Sequence, residues 1–260
     1  MKKKKRYVVI LLILIAFTIG MYFAFGRENI AKSKDATTII VGDSTIWNYS
    51  DNKWLNVTNS KTIESLNWLD YNVYLDNKKL GKYYLWNDGN KWFIFDASKK
   101  AINKEGAILA FRSNYDIKVK SFDLNPIRNY YHVNKVLKEN KLSTSSLYTV
   151  SEEITIDLDS DGQNETLYFA SNAFALDFNP EKVFSFVFMV KNSQIYPIYT
   201  DVDKNTGTNG CKPYLSAIMD IDNDNIYELV VSCGRYSVNK PVDMLYKFTG
   251  NEFKILITNQ

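Results

Sequence analysis

The first clear pattern is a run of 20 positions without a charge, YVVILLILIAFTIGMYFAFG, from Tyr7 to Gly26. As a helix this run spans about 30 Å, the thickness of one bilayer core. Five basic residues, Lys2 to Arg6, precede it. Positive charge stays on the cytoplasmic side, so the tail is expected inside and the chain after Arg27 outside. A cleaved signal peptide has a shorter apolar core of about 7–15 residues and small residues at its cleavage site. Here the run is longer, and Phe25 and Arg27 make a poor site. The pattern therefore predicts an uncleaved single-pass anchor, with the bulk of the protein extracytoplasmic at the cell surface.

After residue 36 the pattern changes to short β-prone runs separated by polar turns. TIWNYSDNKWLNV reads as a hairpin turning at Ser50–Asn52, and YYLWNDGNKWFIF as one turning at Asp88-Gly89. SFVFMVKNSQIYPIY and DMLYKFTGNEFKILI have the same form. One helix is expected: Asn125-Pro126 offers an N-cap and a first-turn proline, and Ile127, Tyr130, Val133 and Leu137 follow at helical spacing up to Asn140. The predicted organisation is a basic tail (1–6), an anchor (7–26), a polar stalk (27–36), an N-terminal β-rich region (37–122), a connecting helix (123–143) and a C-terminal β-rich region (144–260).

The last region repeats. TIDLDSDGQNETLYFA and AIMDIDNDNIYELVVS each precede one of the two later hairpins, and their acidic runs begin at Asp157 and Asp220. Each unit therefore holds four strands, the size of a propeller blade. The expected fold is an all-β exported region, either propeller-like or two packed units of hairpins, with one transmembrane and one connecting helix.

The two acidic runs share their spacing. Asp157, Asp159, Asp161 and Glu165 stand at positions 1, 3, 5 and 9 of the first, and Asp220, Asp222, Asp224 and Glu228 at the same positions of the second. Position 6 is Gly162 or Asn225, residues that tolerate positive φ at a sharp bend. Hard cations such as Ca²⁺ take six to eight oxygens, and side chains at 1, 3 and 5 of a tight loop converge on one point. The carbonyls of Gln163 and Ile226, at position 7, are candidate further ligands. Without a metal, two carboxylates about 4 Å apart repel by about 4 kcal/mol at an effective dielectric near 20, so an uncompensated loop should splay or protonate. An EF-hand needs a bidentate Glu at position 12 and flanking helices. Tyr168 and Val231 occupy that position, between strand-like flanks. Asp201, Asp203 and Asn205 form a third run that lacks a closing acid and reads as an ordinary loop.

DxDxDGxxE between two strands resembles the calcium loops of FG-GAP and VCBS-type repeats, found in integrin α-subunit propellers and bacterial surface proteins. The resemblance covers about 20 residues per loop. It implies two structural Ca²⁺ sites, one on Asp157, Asp159, Asp161 and Glu165 and the other on Asp220, Asp222, Asp224 and Glu228. The second loop departs from the pattern by having Asn225 where Gly is usual.

Charge and composition narrow the function. The formal balance of +3 owes its sign to the cytoplasmic tail; without those five residues the basic residues fall below the 29 acidic ones. Nothing in the exported part argues for nucleic acid. Cys211 and Cys233 are close enough in the expected hairpin for a disulfide at its base, but their spacing leaves paired and free thiols equally open. Paired aromatics across the N-terminal hairpins read as packing rather than a sugar platform.

No catalytic constellation is evident. IIVGDST resembles the nucleophile block of GDSL/SGNH esterases, with Ser44 as candidate. The single histidine, His132, lies in the expected helix, and none follows it to serve as base. Glycosidase carboxylates flank a bond about 5–9.5 Å apart, whereas alternating acids on one loop converge. The expectation is a non-catalytic, calcium-binding surface protein with a cell-wall or protein ligand. The alternatives are an envelope hydrolase with a site hidden from sequence, and an accessory subunit of an envelope complex.

Overall fold

Short apolar runs between polar turns become strands throughout. The computed structural model describes residues 37–259, apart from 44, 52, 77, 103–107, 115, 146–147, 174–181, 204–209 and 236–239. The expected tail, anchor and stalk lie outside the described residues, as does Ser44. Among the described residues no helix is long and apolar enough to cross a membrane.

The N-terminal region is one antiparallel sheet. Its strands are β1 (Thr37–Val41), β2 (Thr45–Ser50), β3 (Lys53–Asn56), β4 (Asp70–Leu75), β5 (Lys78–Asn87), β6 (Trp92–Phe95) and β7 (Ile108–Arg112), in the order β3-β2-β1-β7-β4-β5-β6. Both expected hairpins form, with Ser50 opposite Lys53 and Asn87 opposite Trp92. The aromatics pair across them: Tyr49 lies 4.7 Å from Trp54 and Trp86 5.5 Å from Phe93, between ring centres. A six-residue helix, α1 (Ser60–Ser65), follows β3; its N-cap, Asn59, accepts hydrogen bonds from the amides of Lys61 and Thr62.

Two further sheets share one topology. β10 (Val150–Ile156), β11 (Glu165–Ser171), β12 (Val183–Lys191) and β13 (Gln194–Asp203) form one meander; β14 (Cys211–Asp220), β15 (Glu228–Arg235), β16 (Val242–Phe248) and β17 (Phe253–Thr258) form the other. A two-residue strand extends each at the same edge: β9 (Asn125–Pro126) beside β10, and β8 (Lys118–Val119) beside β14. The repeat of four strands is thus real. The described sheets close into neither propeller nor barrel; they stack.

The stacking explains the sequence of the middle sheet. Leu229 and Val231 of β15 pack with Ile154, Leu167, Phe169 and Met189 of the first meander. Val230 points the other way and packs with Ile39, Trp47 and Phe111 of the N-terminal sheet. A sheet covered on both faces has no polar face, which is why LVV does not alternate. Cys211 and Cys233 form a disulfide between β14 and β15, with Cα atoms 5.3 Å apart.

The connecting helix is present but shorter than expected. α2 covers Tyr131–Glu139 and ends at Asn140. Asn125 and Pro126, read from sequence as its start, instead pair with Glu153 and Glu152 as β9. A proline without an N–H is tolerated on such an edge. The helix lays Val133 and Leu137 on Phe184, Phe186 and Phe188, closing the outer face of the first meander.

Candidate metal centre

Each acidic loop joins the first two strands of its meander. The closing glutamate is the first residue of the returning strand, and both Glu165 and Glu228 are only 1% exposed. Strand geometry turns their side chains back over the loop. Glu165 Oε2 accepts from the Leu158 amide at 2.7 Å, and Glu228 Oε2 from the Ile221 amide at 2.8 Å.

Two further hydrogen bonds recur in both loops. Asp157 Oδ2 accepts from the Gly162 amide and Asp220 Oδ2 from the Asn225 amide, both at 3.2 Å. Asp161 Oδ1 accepts from the Gln163 amide at 2.8 Å and Asp224 Oδ1 from the Ile226 amide at 2.9 Å. Gly162 and Asn225 have φ of 84° and 67°, so the asparagine takes the glycine's left-handed conformation. Position 4 is left-handed as well, with φ of 57° at Ser160 and 59° at Asn223, which the spacing alone did not disclose.

Positions 1, 3 and 9 converge. Asp157, Asp159 and Glu165 bring one carboxylate oxygen each within 4.8 Å of one another, as do Asp220, Asp222 and Glu228. Asp161 and Asp224, at position 5, stand outside these triads. Gln163 and Ile226 are placed in the turn by their amides, and Ile226 also packs on the core between the meanders.

A lysine ammonium enters each cluster. Lys191 Nζ lies 2.5 Å from Asp159 Oδ2, 2.8 Å from Asp161 Oδ2 and 2.9 Å from Glu165 Oε1. Lys247 Nζ lies 2.5, 2.8 and 2.9 Å from Asp222 Oδ2, Asp224 Oδ2 and Glu228 Oε1. The register places them: Thr166 pairs with Val190 and Leu229 with Tyr246, so one step on each glutamate faces its lysine. The expected splaying of an uncompensated loop is therefore not what the structure shows. A cross-strand cation holds the carboxylates together instead.

The compensation is partial. A second lysine reaches each loop from the segment at β8: Lys118 Nζ lies 3.3 Å from Asp220 Oδ2, and Lys120 donates to the Asp157 carbonyl. Four carboxylates therefore face two ammonium groups at the second loop, whereas at the first the second lysine meets a backbone carbonyl and Lys191 alone pairs with the carboxylates. Asp157 Oδ1, Asp159 Oδ1 and Asp220 Oδ1 are buried without a hydrogen-bond partner. Asp220 is fully buried.

The titration of the sites reflects this balance. Burial pushes the Glu228 carboxyl up to about 7, against the Ile221 amide and Lys247, which favour its charged form. Burial would also lower both lysines, but the carboxylates around them outweigh it and hold Lys191 and Lys247 above the ordinary lysine value. Asp161 is held low by Lys191 and the Gln163 amide. An all-oxygen, anionic, partly compensated cluster has the donor set of a hard divalent cation.

Other candidates do not assemble a site. Asp201, on β13, accepts from the Tyr199 hydroxyl at 3.3 Å and joins no carboxylate cluster among the described residues. Thr45, next to Ser44, is buried and donates to Asp243 Oδ2 at 2.5 Å. His132 packs on the rings of Tyr131 and Tyr168. Trp47 and Trp92 are core residues. Searches against family models, curated proteins and solved structures found no match to the chain.

Proposed function

We propose that this is a membrane-anchored, extracytoplasmic calcium-binding protein with a non-catalytic binding or adhesion role at a bacterial cell surface. Its two loops act as structural Ca²⁺ sites of the FG-GAP/VCBS type. One observation carries the reading: the same carboxylate triad is built twice, with the same hydrogen bonds, and is left short of positive charge both times.

With a dissociation constant of about 10 µM and about 1 mM external calcium, each site adds about 2.7 kcal/mol of stability. A cavity of about 350 Å³ lies away from both loops. Arg235, Lys240, Asn56 and Asn259 line it, with no carboxylate among the described lining residues.

The test is thermal unfolding of the full chain in detergent, with calcium and with chelator. Calcium should raise the melting temperature, and Asp159→Ala and Asp222→Ala should each blunt the rise. An unchanged melting temperature in the intact chain would defeat the reading.

A further inference from the structure

Lys191 and Lys247 were not anticipated from the sequence, and each ammonium engages two of the three carboxylates of its converging triad, those at positions 3 and 9. We propose that they are resident counter-ions that calcium expels, so that each loop is a lysine-for-calcium exchange site. The proposal rests on the calcium reading above and adds to it the mechanism by which these loops load and unload.

The geometry supports it twice. In each loop one ammonium sits within 2.5–2.9 Å of oxygens from positions 3, 5 and 9. Calcium binds carboxylate oxygens at about 2.3–2.6 Å, so an ion held by the same oxygens would take the place of the ammonium. Two cations cannot share that point. The lysine is the one able to leave, because its charge rides on a flexible four-carbon stem. Both lysine side chains are only 16% exposed while they fill the sites. Their release would carry an ammonium from a buried position into water.

Charge gives the direction of the exchange. At each loop the four carboxylates outnumber the ammonium groups paired with them, even with the lysine in place. A divalent ion replaces one positive charge with two and can engage the buried oxygens of Asp157, Asp159 and Asp220 that have no hydrogen-bond partner. The ammonium in turn explains how the unloaded loop keeps its shape. The lysines thereby lower calcium affinity while preserving the folded loop for the next ion.

The exchange has a signature opposite to ordinary ligand protection. Full-length protein in detergent is treated with an amine-acetylating reagent, with calcium or with chelator, and labelled peptides are read by mass spectrometry. Lys191 and Lys247 should be slow in chelator and at least about tenfold faster in calcium, while exposed Lys79 is unchanged. Isothermal titration of Lys191→Met and Lys247→Met should show calcium bound at least about tenfold more tightly at the altered loop. Calcium binding with unchanged labelling and unchanged affinities would overturn the exchange and leave the calcium reading standing. Binding confined to the methionine variants would overturn both, making the lysines permanent substitutes for a metal. No binding in any form would likewise overturn both.

Discussion

The hydroxyl of Ser160, in the first acidic loop, donates to the backbone carbonyl of Asn225 in the second at 2.9 Å. Beside it, the Tyr227 amide donates to the Leu158 carbonyl at 2.9 Å. Position 4 of one loop is thus fastened to position 6 of the other, both in left-handed conformations. The two candidate sites form a pair.

Coupling between them follows. On the proposed calcium reading, Asp159→Ala should weaken binding at the second loop as well as abolish it at the first. The expected loss at the second loop is about fivefold, the lower end of typical site–site coupling. Ser160→Ala should bring the loops closer to independence without removing a ligand. Titration calorimetry fitted to two sites checks both; unaltered binding at the second loop in Asp159→Ala would show that the contact transmits nothing.

The buried carboxylate of Asp243 makes a pH prediction. Burial raises its pKa, against hydrogen bonds from Ser232 and Thr45. The fold therefore holds this proton more tightly than the unfolded chain does. Stability from this group is fully present below the unfolded value, near pH 3.9, and is lost as pH rises through the folded value. Asp243→Asn cannot titrate. The melting temperature of the native chain, relative to that variant, should fall as pH is raised from about 4 to 7. A constant difference would place the carboxyl at its ordinary value.

The disulfide fastens the second loop's strands within the core shared by the meanders. Replacing Cys211 and Cys233 by alanine should cost about 2–4 kcal/mol, measured by denaturant midpoint. Reducing agent should produce a similar loss in the native chain and none in the variant.

The middle sheet offers a sharper test of the stacking. Val230 and Val231 are both fully buried, on opposite faces. Aspartate at either position should prevent stable folding, since an unpaired charge would be forced between two sheets. Ile255, on the last strand, is 57% exposed, and Ile255→Lys should change stability by no more than about 0.5 kcal/mol. If either valine tolerated aspartate, the corresponding face would have to be open to water.

Much of this architecture is visible in local pattern. The turns at Asn192-Ser193 and Gly250 separate strands long enough to show, so the four-stranded repeat is readable. The alternating aspartates are equally plain, because a converging loop needs them close in sequence. Lys191 and Lys247 escape for a physical reason: they meet the carboxylates through strand register, and their distance in sequence from Glu165 and Glu228 differs between the repeats. β8 and β9 are two residues long and carry no period. α1 is under two turns, too short for an apolar stripe. The order of the sheets is likewise a matter of which faces meet, and LVV says only that both faces of its strand are covered.

β1 occupies the interior of its sheet, hydrogen-bonded to β2 on one side and β7 on the other. Its first residue, Thr37, is buried and pairs with Tyr49 of β2. A pull applied there loads two ladders at once instead of peeling an edge strand, and the pulled strand carries Ile39 and Val41 into the core against the middle sheet. Force entering the sheet along β1 would therefore meet it at a mechanically resistant point, in shear along two ladders.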